Sequence, residues 1–303
     1  MAQQKMELRQ LRDFSQNFND TFQFIKQEFK PLVLSYFSIS GILILITGII
    51  SGLYERNAMS GFFSGMMEGI RSSNSHYYGS GPVRTMSSIF SPLYFLMLFL
   101  GGLNIVVMKV TVAVYMKIYD AKGKVSPTID EVWKGTLRYF IPIAIYSLII
   151  TLLTILGCLF CLVPGVYFMV VFAPITMIFV VEDASFGEGF NRCFSLIKEN
   201  FWISLVIYLV VYIIYAISSG IIGAVITGVA GLISYFTTKD IASTVGLVTG
   251  IFSVFQYVFY IIFLVSVGLH YFNLAELQDG EGLLRRIDSL GDDSTNTTVE
   301  EQY

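Results

Sequence analysis

Residues 139–181 read YFIPIAIYSLIITLLTILGCLFCLVPGVYFMVVFAPITMIFVV, a run without a single Asp, Glu, Lys or Arg. A helix rises 1.5 Å per residue and bilayer hydrocarbon is roughly 30 Å thick, so about 20 apolar residues make one crossing and this run holds two. Pro164-Gly165 falls between them, where the chain has to reverse. Proline presets φ, glycine accepts a positive φ, and the pair favours a tight turn. The run therefore predicts a hairpin of two spanning helices, over about Phe140–Leu162 and Val166–Val181.

The same criterion, applied outward, predicts four more spans: about Leu32–Leu53, Ile89–Tyr119, a segment beginning at Phe201, and about Ser243–Phe272. The fifth is long. From Phe201 to Ser234 a straight helix would measure roughly 50 Å, more than the hydrocarbon needs, so a break or bend is expected near Ser218, Ser219 and Gly220. Gly246 and Gly250 in the sixth span form a GxxxG, and Gly220, Ala224 and Gly228 in the fifth are spaced by four. Small residues at that interval let helix backbones approach in lipid, and packing of the fifth span on the sixth is the expected use; self-association is the alternative.

Composition agrees with this reading. Of 303 residues 54% are hydrophobic and 14% charged, against roughly 25% charged in an ordinary soluble domain. The charges gather at the two ends, so the middle cannot cover a globule with polar surface. A soluble enzyme and a disulfide-stapled secreted domain are thereby excluded as expectations, and a net charge of −3 gives no sign of a nucleic-acid partner.

Orientation follows from the basic residues. Fifteen of the 19 Lys and Arg lie before the first span, from Lys109 in the last part of the second span to the start of the third, between the fourth and fifth, or after the sixth. The remaining four, Arg56, Arg71, Arg84 and Lys239, lie in the opposite connections. Both termini are expected in the cytoplasm, the 54–88 loop outside, and residues 274–303 as an acidic, partly disordered cytoplasmic tail.

Three amphipathic helices are expected on the cytoplasmic side. Residues 1–30 carry Leu8, Leu11, Phe14, Phe18, Phe22, Ile25 and Phe29 at steps of three and four, the pattern of a helix lying in the membrane interface or packed on the protein's own surface. Thr128 with Glu131 and Ser185 with Glu188 give capping boxes ahead of helices over about 128–138 and 185–198. The junctions into the first, third and fifth spans also resemble one another, which suggests a unit of interfacial helix plus hairpin used three times.

Polar residues within the spans are few. Lys109 sits about 20 residues into the second span, from where its stem could snorkel to the headgroups; an ion pathway is the alternative, although no acidic partner lies in any span. His76 and His270 are placed on opposite sides and cannot share a site. Cys158, Cys161 and Cys193 read as inert apolar residues. No catalytic, cofactor-binding or metal-ligating residue is therefore expected, and no cofactor.

At Leu162-Val-Pro-Gly-Val-Tyr-Phe-Met-Val-Val-Phe, Glu182-Asp183 and Phe190-Asn-Arg-Cys-Phe-Ser-Leu-Ile-Lys-Glu-Asn-Phe-Trp202 the chain resembles the membrane domain that accompanies some bacterial glycerophosphodiester phosphodiesterases, and related stand-alone bacterial membrane proteins. Gly189 and Cys193 stand where that pattern has Ala and Ser. The resemblance covers the membrane region only and carries no hydrolytic activity, which in the fused proteins belongs to a separate soluble barrel. It implies a multi-pass protein of the bacterial inner membrane. The function expected is a non-enzymatic scaffold or lipid-interacting module, with membrane lipids and a protein partner or second copy as the partners. A transporter or channel for a small amphiphile is the alternative, with Asn104, Ser147, Thr151 or Ser218 lining its path.

Overall fold

The surface is as apolar as the core, and polar side chains are buried within that core. Large apolar side chains face outward, among them Phe160 at 88% and Ile42 at 79% exposure, while Ser40, Thr47, Asn104, Ser204, Ser266 and His270 are buried. That arrangement suits a chain whose solvent is hydrocarbon, where the helix supplies every backbone bond internally.

The computed structural model describes residues 5–71, 91–237, 241–280 and 284. Among these every regular element is helical: α1 (Phe14–Arg71), α2 (Pro92–Ala121), α3 (Ile129–Phe160), α4 (Leu162–Val171), α5 (Ile175–Val181), α6 (Phe186–Lys198), α7 (Phe201–Thr237) and α8 (Ile241–Asp279). Six segments are long and apolar enough to cross a bilayer, with α4 and α5 together forming one of them. His76, the 72–88 part of the 54–88 loop and nearly all of the tail after Gly280 lie outside the described residues.

Several helices run further than the sequence reading had them. The expected boundary between an interfacial helix ending at residue 30 and a first span beginning at 31 is absent, because α1 continues through Pro31. It also continues to Arg71, into the segment read as loop. The α3 helix likewise joins the 128–138 segment to the third span through Pro142. Across Ser218–Gly220, α7 is unbroken from Phe201 to Thr237; glycine costs a helix about 1 kcal/mol, and here the ladder persists in spite of it.

Along α1 the expected stripe is divided: Leu8, ahead of the helix, is buried, and Phe18, Phe22 and Ile25 are half-buried. Asn17, Thr21, Phe24 and Glu28 are buried, whereas Phe14 and Phe29 on the apolar stripe are exposed. Trp133 and Leu137 on α3 also face outward. Helix α6 differs from both: Gly189, Cys193, Leu196 and Ile197 are buried, and Phe190 and Phe194 pack on Phe172 with ring centroids 5.0 and 5.5 Å away. Both capping boxes form, at Thr128–Glu131 and at Ser185–Glu188.

Two helix approaches need glycine. Between α3 and α4 the chain turns at Cys161, whose backbone is extended, and Pro164-Gly165 falls in the first turn of α4. Gly165 has no positive φ, so the expected reason for it fails. Its role is proximity: a Cβ there would stand 2.1 Å from Cys158 Sγ and 2.9 Å from Cys158 Cα. The GxxxG of the sixth span also serves a partner other than the expected one. Gly250 meets the Gly48 carbonyl and the Gly52 backbone, and Gly246 meets the Arg56 backbone, so the motif seats α8 on α1 rather than on α7. Gly220 and Gly228 have no neighbour within 4 Å of where a Cβ would stand.

The α2 helix is the centre of the bundle, with Met108 and all of Val110–Met116 buried. One end of the bundle is tied by ion pairs. Arg9 reaches Asp120 at 3.0 Å, Lys117 reaches Asp183 at 2.6 Å, and Arg192 spans Glu182 and Asp279. The N-terminal segment, the α2–α3 and α5–α6 links and the end of α8 therefore meet there.

A candidate lipid-facing cavity at Lys109

Lys109 lies eight residues before Lys117 on α2, about 12 Å down the helix axis from the ion pair that Lys117 makes with Asp183. It does not sit among the charges at the bundle's end. It lines a cavity of about 340 Å³, walled by α2, α3, α4, α5 and α8, and among the described residues it makes no hydrogen bond or ion pair. A cation without a counter-charge at such depth is costly, roughly 2.5–3.5 kcal/mol on insertion scales.

The rest of the wall is apolar, with three threonines. Phe168, Phe172, Met177, Phe263 and Leu264 supply its body, and Thr151, Thr154 and Thr176 its polar atoms. The threonines are not equivalent. Thr151 and Thr154 donate their hydroxyl protons to the carbonyls of Ser147 and Ile150, at 2.7 and 2.8 Å, so toward the cavity they offer acceptors. Thr176, on α5, makes no hydrogen bond among the described residues and keeps its proton to give. Ile155 on α3 and Met169 on α4 are exposed, so the mouth opens sideways, between the exposed apolar faces of two helices.

Why these residues meet there is set by the helices around them. Tyr139 on α3 donates to Asp183, and Lys117 donates to both, which aligns the tops of α2, α3 and α5. Burial alone would push the Asp183 carboxyl up, but the bonds from Lys117 and Tyr139 and the charge of Arg138 outweigh it and hold the group below its ordinary range. With those tops level, Thr151 and Thr154, about three turns down α3, fall opposite Lys109. The turn at Phe172–Pro174, where proline cannot donate a ladder bond, separates α4 from α5 and opens the space above Met169.

Other residues singled out from the sequence are placed elsewhere. Asn104 is buried and donates to Thr47 of α1 at 2.6 Å; of the four residues expected along a transport path, Thr151 lines the Lys109 cavity and Asn104 faces α1 instead. His270 is fully buried, with Nε2 2.8 Å from Ser204 Oγ and its ring edge-on to Tyr208. Cys158, Cys161 and Cys193 are free thiols, and burial pushes the Cys193 thiol up. Glu182 and Asp183, just ahead of α6, accept from Tyr271 and from Tyr139. Gly189 lies against the Phe179 ring, where a Cβ would come within 2.5 Å.

Thr154 and Thr176 were not picked out from the sequence. Their signal was present: each is a hydroxyl in an otherwise charge-free span, and Thr151 and Thr154 are three apart, on one helix face. Comparison with protein-family models, curated proteins and solved structures gave no match.

Proposed function

We propose that the chain is a non-enzymatic, lipid-interacting module of the bacterial inner membrane, with both termini in the cytoplasm. The observation that carries the reading is the Lys109 cavity, whose mouth opens toward lipid between α3 and α4. A sideways mouth suits a molecule already dissolved in the bilayer better than one arriving from water. The outward stripe of Phe14, Phe29 and Trp133 supports a collar of helices in contact with the cytoplasmic leaflet.

Identification of lipids that stay with the purified protein tests this. A small number of lipid molecules per chain, enriched over the host membrane's bulk composition, is the expected result; lipid at bulk proportions alone would refute it. Orientation has a separate test: reporters fused after Ser80 and after Gly123 should read outside and cytoplasm, and one side for both would overturn the topology.

The same cavity would also serve as the substrate site of an amphiphile transporter, since it lies well below the charged end of the bundle. Lipid movement between leaflets in liposomes holding the protein would favour that reading.

A further inference from the structure

We propose that the Lys109 cavity recognises the anionic headgroup of a membrane phospholipid, held by the Lys109 ammonium and the Thr176 hydroxyl while the acyl chains stay outside along α3 and α4. This rests on the lipid-interacting reading and adds the ligand's charge and the residues that read it.

The argument starts from supply and demand of hydrogen bonds. A lysine ammonium has three donors and no acceptor, and Lys109 has no partner among the described residues. The only other proton to give among the cavity's polar side chains is that of Thr176, because Thr151 and Thr154 spend theirs on backbone carbonyls. An ammonium and a free hydroxyl that line the same, mostly apolar space ask for an acceptor with negative charge. The low-dielectric wall makes that attraction stronger than it would be in water. A zwitterionic head would bring its own cation beside Lys109, which is repulsive. The acceptors left on Thr151 and Thr154 suit a hydroxyl of the headgroup or glycerol.

Size and exposure decide what part of the ligand enters. A volume of about 340 Å³ is at the small end of ligand pockets, enough for a phosphate with its glycerol and too small for two acyl chains. Those chains have a surface waiting: Leu152, Leu156 and Met169 are exposed beside the mouth. A free inorganic phosphate would meet the same two donors but would have to cross this apolar rim without chains to bury.

The test uses the full chain in detergent, titrated with dioleoyl phosphatidylglycerol or dioleoyl phosphatidylcholine and followed by native mass spectrometry and thermal melting. Wild type should hold the anionic lipid roughly tenfold or more tightly than the zwitterionic one, a factor in keeping with a single charged hydrogen bond, and melt higher when it is bound. Lys109→Met should lose that preference and the melting shift while keeping its weak hold on phosphatidylcholine. Lys109→Arg should keep the preference in part. Because Lys109→Met removes an unpaired charge, it should fold and melt no lower than wild type without lipid. An undiminished preference in Lys109→Met would overturn the proposal, as would displacement of phosphatidylglycerol by millimolar sodium phosphate, which would point to the free anion. If wild type held neither lipid, the lipid-interacting reading itself would fall.

Discussion

Gly165→Val is expected to prevent the α3–α4 hairpin from closing and to leave little folded protein. The first atom of the new side chain would stand 2.1 Å from Cys158 Sγ and 2.9 Å from the Cys158 backbone. A sulfur can swing to another rotamer; a backbone cannot move without carrying its helix. Gly157 faces the same place, 3.2 Å from Gly165 Cα by the same measure, so α3 offers nowhere to retreat. Overpacking of this kind costs typically 1–3 kcal/mol, and more when backbone must shift. The effect should reach the Lys109 cavity, since Phe168 and Met169 of α4 and Phe172 just after it form its wall. Monodisperse yield and melting temperature in detergent give the readout. Cys158→Ala in the same chain should restore only part of the loss, because it removes the sulfur and leaves the backbone contact. Full recovery would show that the sulfur alone made Gly165 necessary.

Gly250→Leu should be nearly as damaging, by separating α8 from α1. At Gly250 a Cβ would lie 2.5 Å from the Gly48 carbonyl oxygen and 2.6 Å from Gly52 Cα, and leucine adds three more carbons behind it. In lipid, helices associate through close van der Waals fit and not through expulsion of water, so lost proximity cannot be recovered by apolar area. The expected result is a melting temperature lowered by several degrees, with Gly228→Leu as the comparison. Gly228 has nothing within 4 Å of its Cβ position and belongs to the same family of small residues, so it should tolerate the change. Equal damage from both would mean that glycine at these sites matters for chain flexibility and not for contact.

What could be read from the sequence depended on whether the signal was local. Charge-free runs are local, and they located six segments of spanning length. Caps are local too: Thr128 with Glu131 and Ser185 with Glu188 formed as their spacing required. Helix continuity was misjudged at the 30/31 boundary, where one helix runs through, and at Ser218–Gly220, where residues of modest propensity sit in strongly apolar surroundings. In a membrane setting an unbonded backbone group is so costly that a helix persists through residues that would end it in water. Partner choice was not legible at all. Gly246 and Gly250 announce a close approach without saying to which helix, and the answer lay in Gly48 and Gly52, about 200 residues earlier. Lys109 was visible as an odd residue in an apolar span, but its relation to Thr176 depends on how α3 and α5 are levelled by Tyr139 and Asp183. No spacing in one segment encodes that.

The seating of α8 on α1 has a consequence for how the protein is made. These are the first and last spanning helices, and α1 packs more extensively on α8 than on any other element. Arg12 continues the dependence toward the N-terminus: its backbone N–H donates to Asn273 at 2.7 Å, while its guanidinium ties the carbonyls of Glu7 and Leu8. A ribosome adding about 5–20 residues per second leaves Gly52 without Gly250 for roughly 10–40 s. During that interval the leading helix sits in the bilayer with its glycine groove open. Closing of that groove therefore waits for α8, and a chain released before Gly250 would carry it open as the mark of an unfinished product.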